Sequence, residues 1–146
     1  MRTRRVSLLA LGCASLVIAA GCGRKASGGE NENRGSTSTI SVTDIDMGRT
    51  INPDLTIGDK TTTFRPSDVI YASVSTKGAA PATLGVRWTF NDNQVVDTGD
   101  REIHPTGDTR TEFHISKPDG FPVGHYKLEV TLNGANAGTK EFDVKK

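Results

Sequence analysis

The sequence predicts an all-β protein whose folded part is an antiparallel sandwich of about seven short strands. Apolar and polar side chains alternate over residues 109–115 and 125–132, which is typical of strands with one buried and one solvent-facing side. Clusters of Gly, Pro, Asn and Asp interrupt such runs about every 8–12 residues. No segment shows a sustained helical period, so a two-sheet sandwich is favoured over a helical domain.

Residues 1–21 have the three parts of an export signal. Three arginines stand among the first five residues, an apolar run follows over residues 6–20, and small residues precede Cys22. The apolar run of about 15 residues is shorter than the ~20 that a membrane-spanning helix needs. We therefore predict a signal peptide over residues 1–21.

Residues 18–22, Ile-Ala-Ala-Gly-Cys, resemble a bacterial lipobox, although Ala19 stands where that motif usually has Leu. The resemblance implies a lipoprotein in which Cys22 carries acyl chains such as palmitate, and two or more chains anchor stably in a membrane. The residue after the cysteine is Gly23, whereas an Asp at that position is the signal that retains such lipoproteins in the inner membrane. This favours the outer membrane of a Gram-negative cell, or otherwise the outer face of the cell membrane. The alternative is an ordinary secretory signal with an incidental Cys22.

Lipidation of Cys22 would leave no free thiol, because Cys13 departs with the leader. The folded domain is therefore predicted to lack both a disulfide and a cysteine metal site.

Residues 22–39 are predicted to be a flexible tether between the lipidated cysteine and the folded domain, residues 40–146. The segment contains no hydrophobic side chain larger than Ala beyond the cysteine itself, so burial cannot offset the entropy of ordering it.

The charge balance excludes a class of partner. Without the three leader arginines, 15 basic residues face 17 acidic ones. Since no basic stripe stands out, we predict no binding to nucleic acid.

Within the domain the patterns predict a series of short strands separated by turns. The predicted strands cover residues 40–47, 61–64, 68–75, 83–90, 94–97, 102–104, 109–115, 125–132 and 139–144. The predicted loops and turns cover residues 48–58, 77–81, 91–93, 97–100 and 133–138.

Two aromatic residues carry a resemblance to immunoglobulin-type sandwiches. Tyr126, preceded by Gly124 and followed by alternating hydrophobics, resembles their tyrosine corner, and Trp88 lies on the strand where those folds bury a Trp. Leu128 stands where their second disulfide cysteine would fall. The resemblance therefore implies a disulfide-free, fibronectin III-like core in which Trp88 and Tyr126 are structural.

Four segments together resemble the immunoglobulin-like domain found in many secreted bacterial lipoproteins. They are residues 68–74, 88–90, 113–120 and 124–130. This resemblance covers residues 40–146 and implies a scaffold and a location, and it brings no catalytic residues with it.

Three histidines are the first metal candidates. His114 and His125 are predicted to face outward from opposite sheets, which stack ~10 Å apart, so they are not expected to share a metal. His104 is expected to be a third isolated surface histidine.

Acidic side chains near turns are the second metal candidates. Asp44 and Asp46, and the group Asp92, Asp97 and Asp100, lack the Gly and the bidentate Glu of a calcium-binding loop, and turn chemistry alone accounts for them. No nucleophile elbow, zinc helix, phosphate loop or dinucleotide fingerprint occurs. We predict no catalytic residue, metal or cofactor, and no enzyme activity.

The bend over residues 116–124 is the candidate partner contact, with Lys117, Asp119 and Phe121 as its contact residues. The alternative is that the bend is structural and that Phe121 caps one end of the core. The sequence leaves both open.

These observations predict a lipid-anchored, non-catalytic envelope module that binds or positions another envelope protein through loops or an edge strand. Two alternatives remain: a lipoprotein that binds a small ligand or glycan, and an accessory or inhibitory subunit of an envelope enzyme that acts through the bend.

Overall fold

The computed structural model of this chain describes residues 39–146. The predicted signal peptide, Cys22 and the tether up to residue 38 lie outside the described residues. Within them the chain forms eight strands and no helix. These are β1 (Ile40–Gly48), β2 (Thr63–Phe64), β3 (Ile70–Gly78), β4 (Ala82–Phe90), β5 (Gln94–Ile103), β6 (Thr109–Ile115), β7 (Gly124–Leu132) and β8 (Ala135–Val144).

The strands form two sheets, which confirms the predicted all-β antiparallel sandwich. One sheet has the order β1-β3-β6 and the other β2-β8-β7-β4-β5. All neighbours are antiparallel except β2 and β8. With strands lettered along the chain, β1, β3 and β6 take the A, B and E positions of an immunoglobulin-like sandwich, and β8, β7, β4 and β5 take G, F, C and C′.

The core lies between the sheets and consists of the alternating hydrophobic side chains. Phe142 is at its centre: its ring stacks on Tyr126 with centroids 5.2 Å apart, and it meets Trp88 and Phe64 edge to face at 5.9 and 5.5 Å. Trp88 and Tyr126 are each 1% exposed. All four rings belong to the five-stranded sheet. Aromatic pairs in these geometries add to the stability gained by burial alone, so this cluster strengthens the inner face of that sheet in a core without a disulfide.

The two ends of the sandwich differ in what they carry. We call the end at which the chain enters the proximal end; it holds the start of β1 and the Asn133–Gly134 turn. The distal end holds the 91–93 turn between β4 and β5 and the 116–123 bend between β6 and β7.

β5 corrects one prediction. The sequence predicts two short strands separated by a turn over residues 97–100, but β5 is one continuous strand of 10 residues. Its pairing with β4 continues from Phe90–Gln94 to Ala82–Ile103, with Asp97 opposite Trp88 and a single bulge at Val96. Turn-forming residue types are present, but the ladder along β4 overrides their local preference.

The β7–β8 connection corrects a second prediction. The expected turn over residues 133–138 contracts to the two residues Asn133 and Gly134, and β8 begins at Ala135. Both turn residues have positive φ, 52° and 82°, as a tight hairpin turn requires. The extra residue of the expected turn region is absorbed by a bulge where Val130 faces Gly138 and Thr131 faces Asn136.

The predicted strand over residues 61–64 meets β1 at its start, where the Thr61 N–H donates to the Met47 carbonyl at 3.0 Å. Its last two residues form β2, which runs parallel to β8 in the other sheet. Arg49 ties the preceding loop in place, because its guanidinium binds Asp68 at 2.9 Å, Asp59 at 3.1 Å and the Thr63 carbonyl at 2.6 Å.

Candidate functional site

The bend between β6 and β7 is fixed by backbone hydrogen bonds. The Gly120 N–H donates to the Lys117 carbonyl at 2.9 Å, closing a turn with Pro118 at its second position and Gly120, φ 80°, at its fourth. The Phe121 N–H donates to the Pro66 carbonyl at 2.8 Å. The bend is therefore an ordered part of the distal end.

Tyr126 anchors the bend from below. Its hydroxyl donates to the Pro122 carbonyl at 2.8 Å, four residues upstream, which is the geometry of a tyrosine corner. Burial raises the pKa of this hydroxyl, so it remains a donor at neutral pH.

Phe121 belongs to the core. It is 3% exposed, and its ring meets the Tyr126 ring edge to face at 6.1 Å. A contact between Phe121 and a partner stays a prediction, and the placement favours the alternative in which Phe121 caps the core. The physical reason is that the hydrogen bond to Pro66 turns the side chain inward rather than toward solvent.

A pocket of about 200 Å³ opens beside the bend, and we call it the end pocket. Its lining is mainly apolar and comes from the β4–β5 turn region, the bend and β7. The lining residues are Phe90, Gln94, Val95, Val96, Lys117, Phe121, Pro122 and Tyr126.

Two valines expose apolar surface at this end. Val95, on the pocket wall, is 45% exposed, and Val123, next to the pocket residue Pro122, is 50% exposed. Leu55 is the other large hydrophobic side chain exposed in the described part of the chain, and it lies on the long loop after β1. Exposed aliphatic side chains around a preformed concavity are typical of binding surfaces.

The other two predicted contact residues, Lys117 and Asp119, differ in their position relative to this pocket. Lys117 lines it and is exposed, whereas the Asp119 carboxylate is almost fully in solvent, 3.9 Å from the Lys117 amine. Trp88 lies in the core, away from the pocket. Cys22 lies outside the described residues.

Val95 and Val123 were not among the contact residues predicted from the sequence. Two successive valines, Val95 and Val96, break the alternation at the start of β5, and this is the signal that one of them faces solvent. Val123 belongs to the bend itself, whereas the proximity of Val95 to the bend is a product of sheet pairing and leaves no local mark in the sequence.

The three histidines lie apart from one another on exposed positions. His114 is on β6, where its Nδ1 is 2.6 Å from Glu112 Oε1, and His125 is on β7 in the other sheet, 3.0 Å from Asp143 Oδ1. The His125 imidazole and the Lys145 ammonium hold the pKa of Asp143 below its usual range. These are surface pairs on strands of different sheets.

Two of the acidic residues predicted to lie near turns are on strands, Asp46 on β1 and Asp97 on β5, and both are engaged locally. Asp46 binds the Lys60 amine at 2.6 Å, and Asp97 accepts the Thr98 N–H at 2.8 Å. Within residues 39–146 no three His, Cys, Asp or Glu side chains converge as metal ligands would.

Across the described range, no helix has the length and apolarity that spanning a membrane requires.

No protein-family model matches the sequence, and no curated protein matches it. Among solved structures, an immunoglobulin-like protein from Pseudomonas aeruginosa is 17% identical, with a TM-score of 0.49 over 76% of this chain and 100% of that one. The CARDB domain of a Pyrococcus furiosus protein, in complex with di-metal ions, is 13% identical, with a TM-score of 0.42 over 74% of this chain and 87% of that one.

An alkylpurine DNA glycosylase from Pseudomonas fluorescens, bound to DNA containing an abasic site analog, is 13% identical, with a TM-score of 0.48 over 75% of this chain. The present chain spans 31% of that enzyme's length. We base the fold assignment on strand order and the tyrosine corner and infer no activity from these likenesses.

Proposed function

We propose that this chain is a lipid-anchored immunoglobulin-like module of the cell envelope that binds and positions another envelope protein without catalysing a reaction. The anchor rests on the export signal and the lipobox-like residues before Cys22. The binding function rests on one observation: a preformed, mainly apolar pocket with exposed Val95 on its wall and exposed Val123 in the bend next to it.

The size of the end pocket favours a protein partner. Sites for whole small molecules usually enclose ~300–1,000 Å³, whereas this pocket has about 200 Å³. That space accommodates an apolar side chain presented by an extended segment of another protein. The buried rings of Phe121 and Tyr126 offer no open face on which a sugar could stack, which disfavours the glycan alternative.

Lys117 adds a preference of charge. Its amine lies at the pocket, and its 3.9 Å separation from solvated Asp119 makes that ion pair weak. An acidic residue of the partner next to the inserted apolar side chain would complement this amine. The proposed partner segment is therefore apolar with a neighbouring carboxylate.

The position of the end pocket agrees with anchoring. The chain enters the sandwich at the proximal end, through Ile40, and the end pocket lies at the distal end. An anchor that precedes Ile40 would hold the domain by the end that does not bind, leaving the pocket free for a partner.

Capture from detergent-solubilised membranes tests this proposal, with the full chain carrying an affinity tag inserted at Gly107 at the proximal end. We expect a specific envelope protein to be recovered and Val95→Glu or Val123→Glu to reduce the recovery about tenfold or more, since each places a charge in an apolar contact. Leu55→Glu is the matched control, an aliphatic residue on the loop after β1 that is 37% exposed, and should leave recovery unchanged.

Equal recovery by all three variants would show that the end pocket is not the binding surface. A chain that recovers no specific protein but is stabilised against heat by a sugar would support the small-ligand alternative instead. If the recovered protein is an enzyme, assaying it with and without the chain would decide whether the role is accessory or inhibitory.

A further inference from the structure

β5 is a free edge of the five-stranded sheet. It pairs with β4 on one side, and no described strand pairs with its other side. It has 10 residues, most of them exposed. A free edge of this length presents unpaired N–H and C=O groups to which another strand can add.

Two opposite charges on β5 share one side of the strand. Asp97 and Arg101 lie opposite Trp88 and Leu84 of β4, so both are on the side that faces the opposite sheet, with Gly99 between them. All three line the groove between β5 and β6. The Arg101 guanidinium lies 5.6 Å from the Phe113 ring, and neither charge forms an ion pair within the described part of the chain.

The backbone of β5 shows which groups face the open side. The Thr98 N–H donates to the Asp97 carboxylate at 2.8 Å, so it is directed away from β4. Alternate residues of a strand direct their backbone groups to the same side, and Asp100 therefore shares this direction. In the unpaired edge, the Asp97 carboxylate therefore accepts the Thr98 N–H hydrogen bond that a backbone carbonyl of an added strand would otherwise accept.

We propose that β5 pairs antiparallel with β5 of a second copy of this chain, about a twofold axis at Gly99. This register places Asp97 of each copy opposite Arg101 of the other, giving two cross-strand ion pairs on the same side of the joined sheet. Thr98 of each copy lies opposite Asp100 of the other. Their backbone groups exchange hydrogen bonds once the Asp97 carboxylate turns to Arg101 of the other copy and releases the Thr98 N–H.

Moving the twofold axis to a neighbouring residue of β5 does not bring Asp97 and Arg101 of the two copies opposite each other. Paired residues must share a side of the sheet, so the axis can move only to another residue of the strand. An axis at Asp100 sets that carboxylate against its own copy, and like charges directly opposite are destabilising. An axis at Thr98 places Asp97 opposite Gly99 and leaves both charges unpaired. The Gly99 register is the one that satisfies Asp97 and Arg101 together.

A cysteine at the axis tests the geometry in the full chain expressed in its membrane. In this register Gly99 faces Gly99 in a non-hydrogen-bonded pair with a Cα separation of ~4.5 Å, which a disulfide can bridge. A Cβ at Gly99 would have its nearest neighbours at 3.5 and 3.9 Å, so Gly99→Cys fits. We expect a disulfide-linked dimer from Gly99→Cys and none from Gly107→Cys, whose added atom is free of contacts.

Charge reversal tests the pairing itself. In the Gly99→Cys chain, Arg101→Glu should reduce the disulfide-linked fraction about tenfold, and adding Asp97→Arg should restore it. Lys77→Glu, on an exposed residue of the other sheet, should have no effect. Sedimentation of the unmodified chain in density-matched detergent should give the mass of a dimer.

Three results would overturn the proposal: equal cross-linking from Gly99→Cys and Gly107→Cys, no rescue by the second charge reversal, or a monomeric mass at every concentration. In that case the charged side chains of Asp97 and Arg101 would serve only to keep other strands from adding to the β5 edge. The proposal does not depend on the end pocket, since none of these readouts involves the captured partner.

Discussion

Asp68 fixes the long loop after β1 to the sandwich. Its carboxylate accepts the Arg65 N–H at 2.8 Å and the Arg49 Nε–H at 2.9 Å. Burial tends to raise the pKa of Asp68, but these two hydrogen bonds and the nearby guanidinium charges outweigh it and hold the pKa below its usual range. The ionised form is therefore part of the folded structure.

Asp68→Asn should weaken the fold in a pH-dependent way. Because the folded pKa is lowered, the stabilisation is present above the ordinary aspartate value of ~3.9 and is lost as pH falls through the folded value. We expect the free energy of unfolding to drop by about 1–2 kcal/mol at pH 7 and the difference from the unmodified chain to shrink in acid. Urea titrations at both ends of this range measure it, and a constant difference would contradict the assignment.

The direction of the Trp88 side chain follows from the sequence, whereas that of Phe121 does not. Trp88 stands on a strand whose alternation is strict, so its side of the sheet follows from parity. Phe121 stands in a bend, where no periodicity fixes the side chain's direction. Its burial depends on the hydrogen bond to Pro66, 55 positions away in the chain, which no local pattern records.

The Asn133–Gly134 turn fixes β7 and β8 and also reaches β4. The Asn133 N–H donates to the Thr83 carbonyl at 2.8 Å, and its side-chain oxygen accepts the Thr83 N–H at 2.9 Å. One two-residue turn thereby sets the register of three strands at the proximal end.

Gly134→Ala should destabilise the fold by about 1–2 kcal/mol, the cost of a left-handed backbone for a residue with a Cβ. No atom lies within 4 Å of the added carbon, so backbone strain is the only cost. Gly107→Ala is the matched control, equally open but without a positive φ, and should be neutral or slightly stabilising. Thermal or urea unfolding distinguishes them; equal losses from both would refute the role given to the turn.

At the scale of elements, strands with a buried side were predicted whole from the sequence, whereas β5 was predicted only as two short strands over residues 94–97 and 102–104. β6 and β7 lie where the alternation places them. β5 is mostly exposed, so it has no apolar period, and its Asp, Thr and Gly residues favour a turn. Pairing with β4 decides its conformation, and that information lies in the partner strand.

At the scale of the whole molecule, the chain enters at one end of the sandwich and the end pocket lies at the other. Strand parity predicted the two sheets, because each strand must bury one side. The end pocket could not be predicted, because β5, the bend and β7 meet there only after the sheets have formed. The chain enters at the opposite end, so the pocket would stay open to a partner in the function proposed above.

The most direct test of this account is photo-cross-linking in intact cells, with a photoreactive amino acid placed at Val123 of the full chain. We expect one discrete adduct with an envelope protein, absent when the same group replaces Lys77 near the proximal end. A Cys22→Ala chain should leave the membrane fraction and lose most of the adduct. The same adducts from both positions, or unchanged membrane fractionation without Cys22, would contradict it.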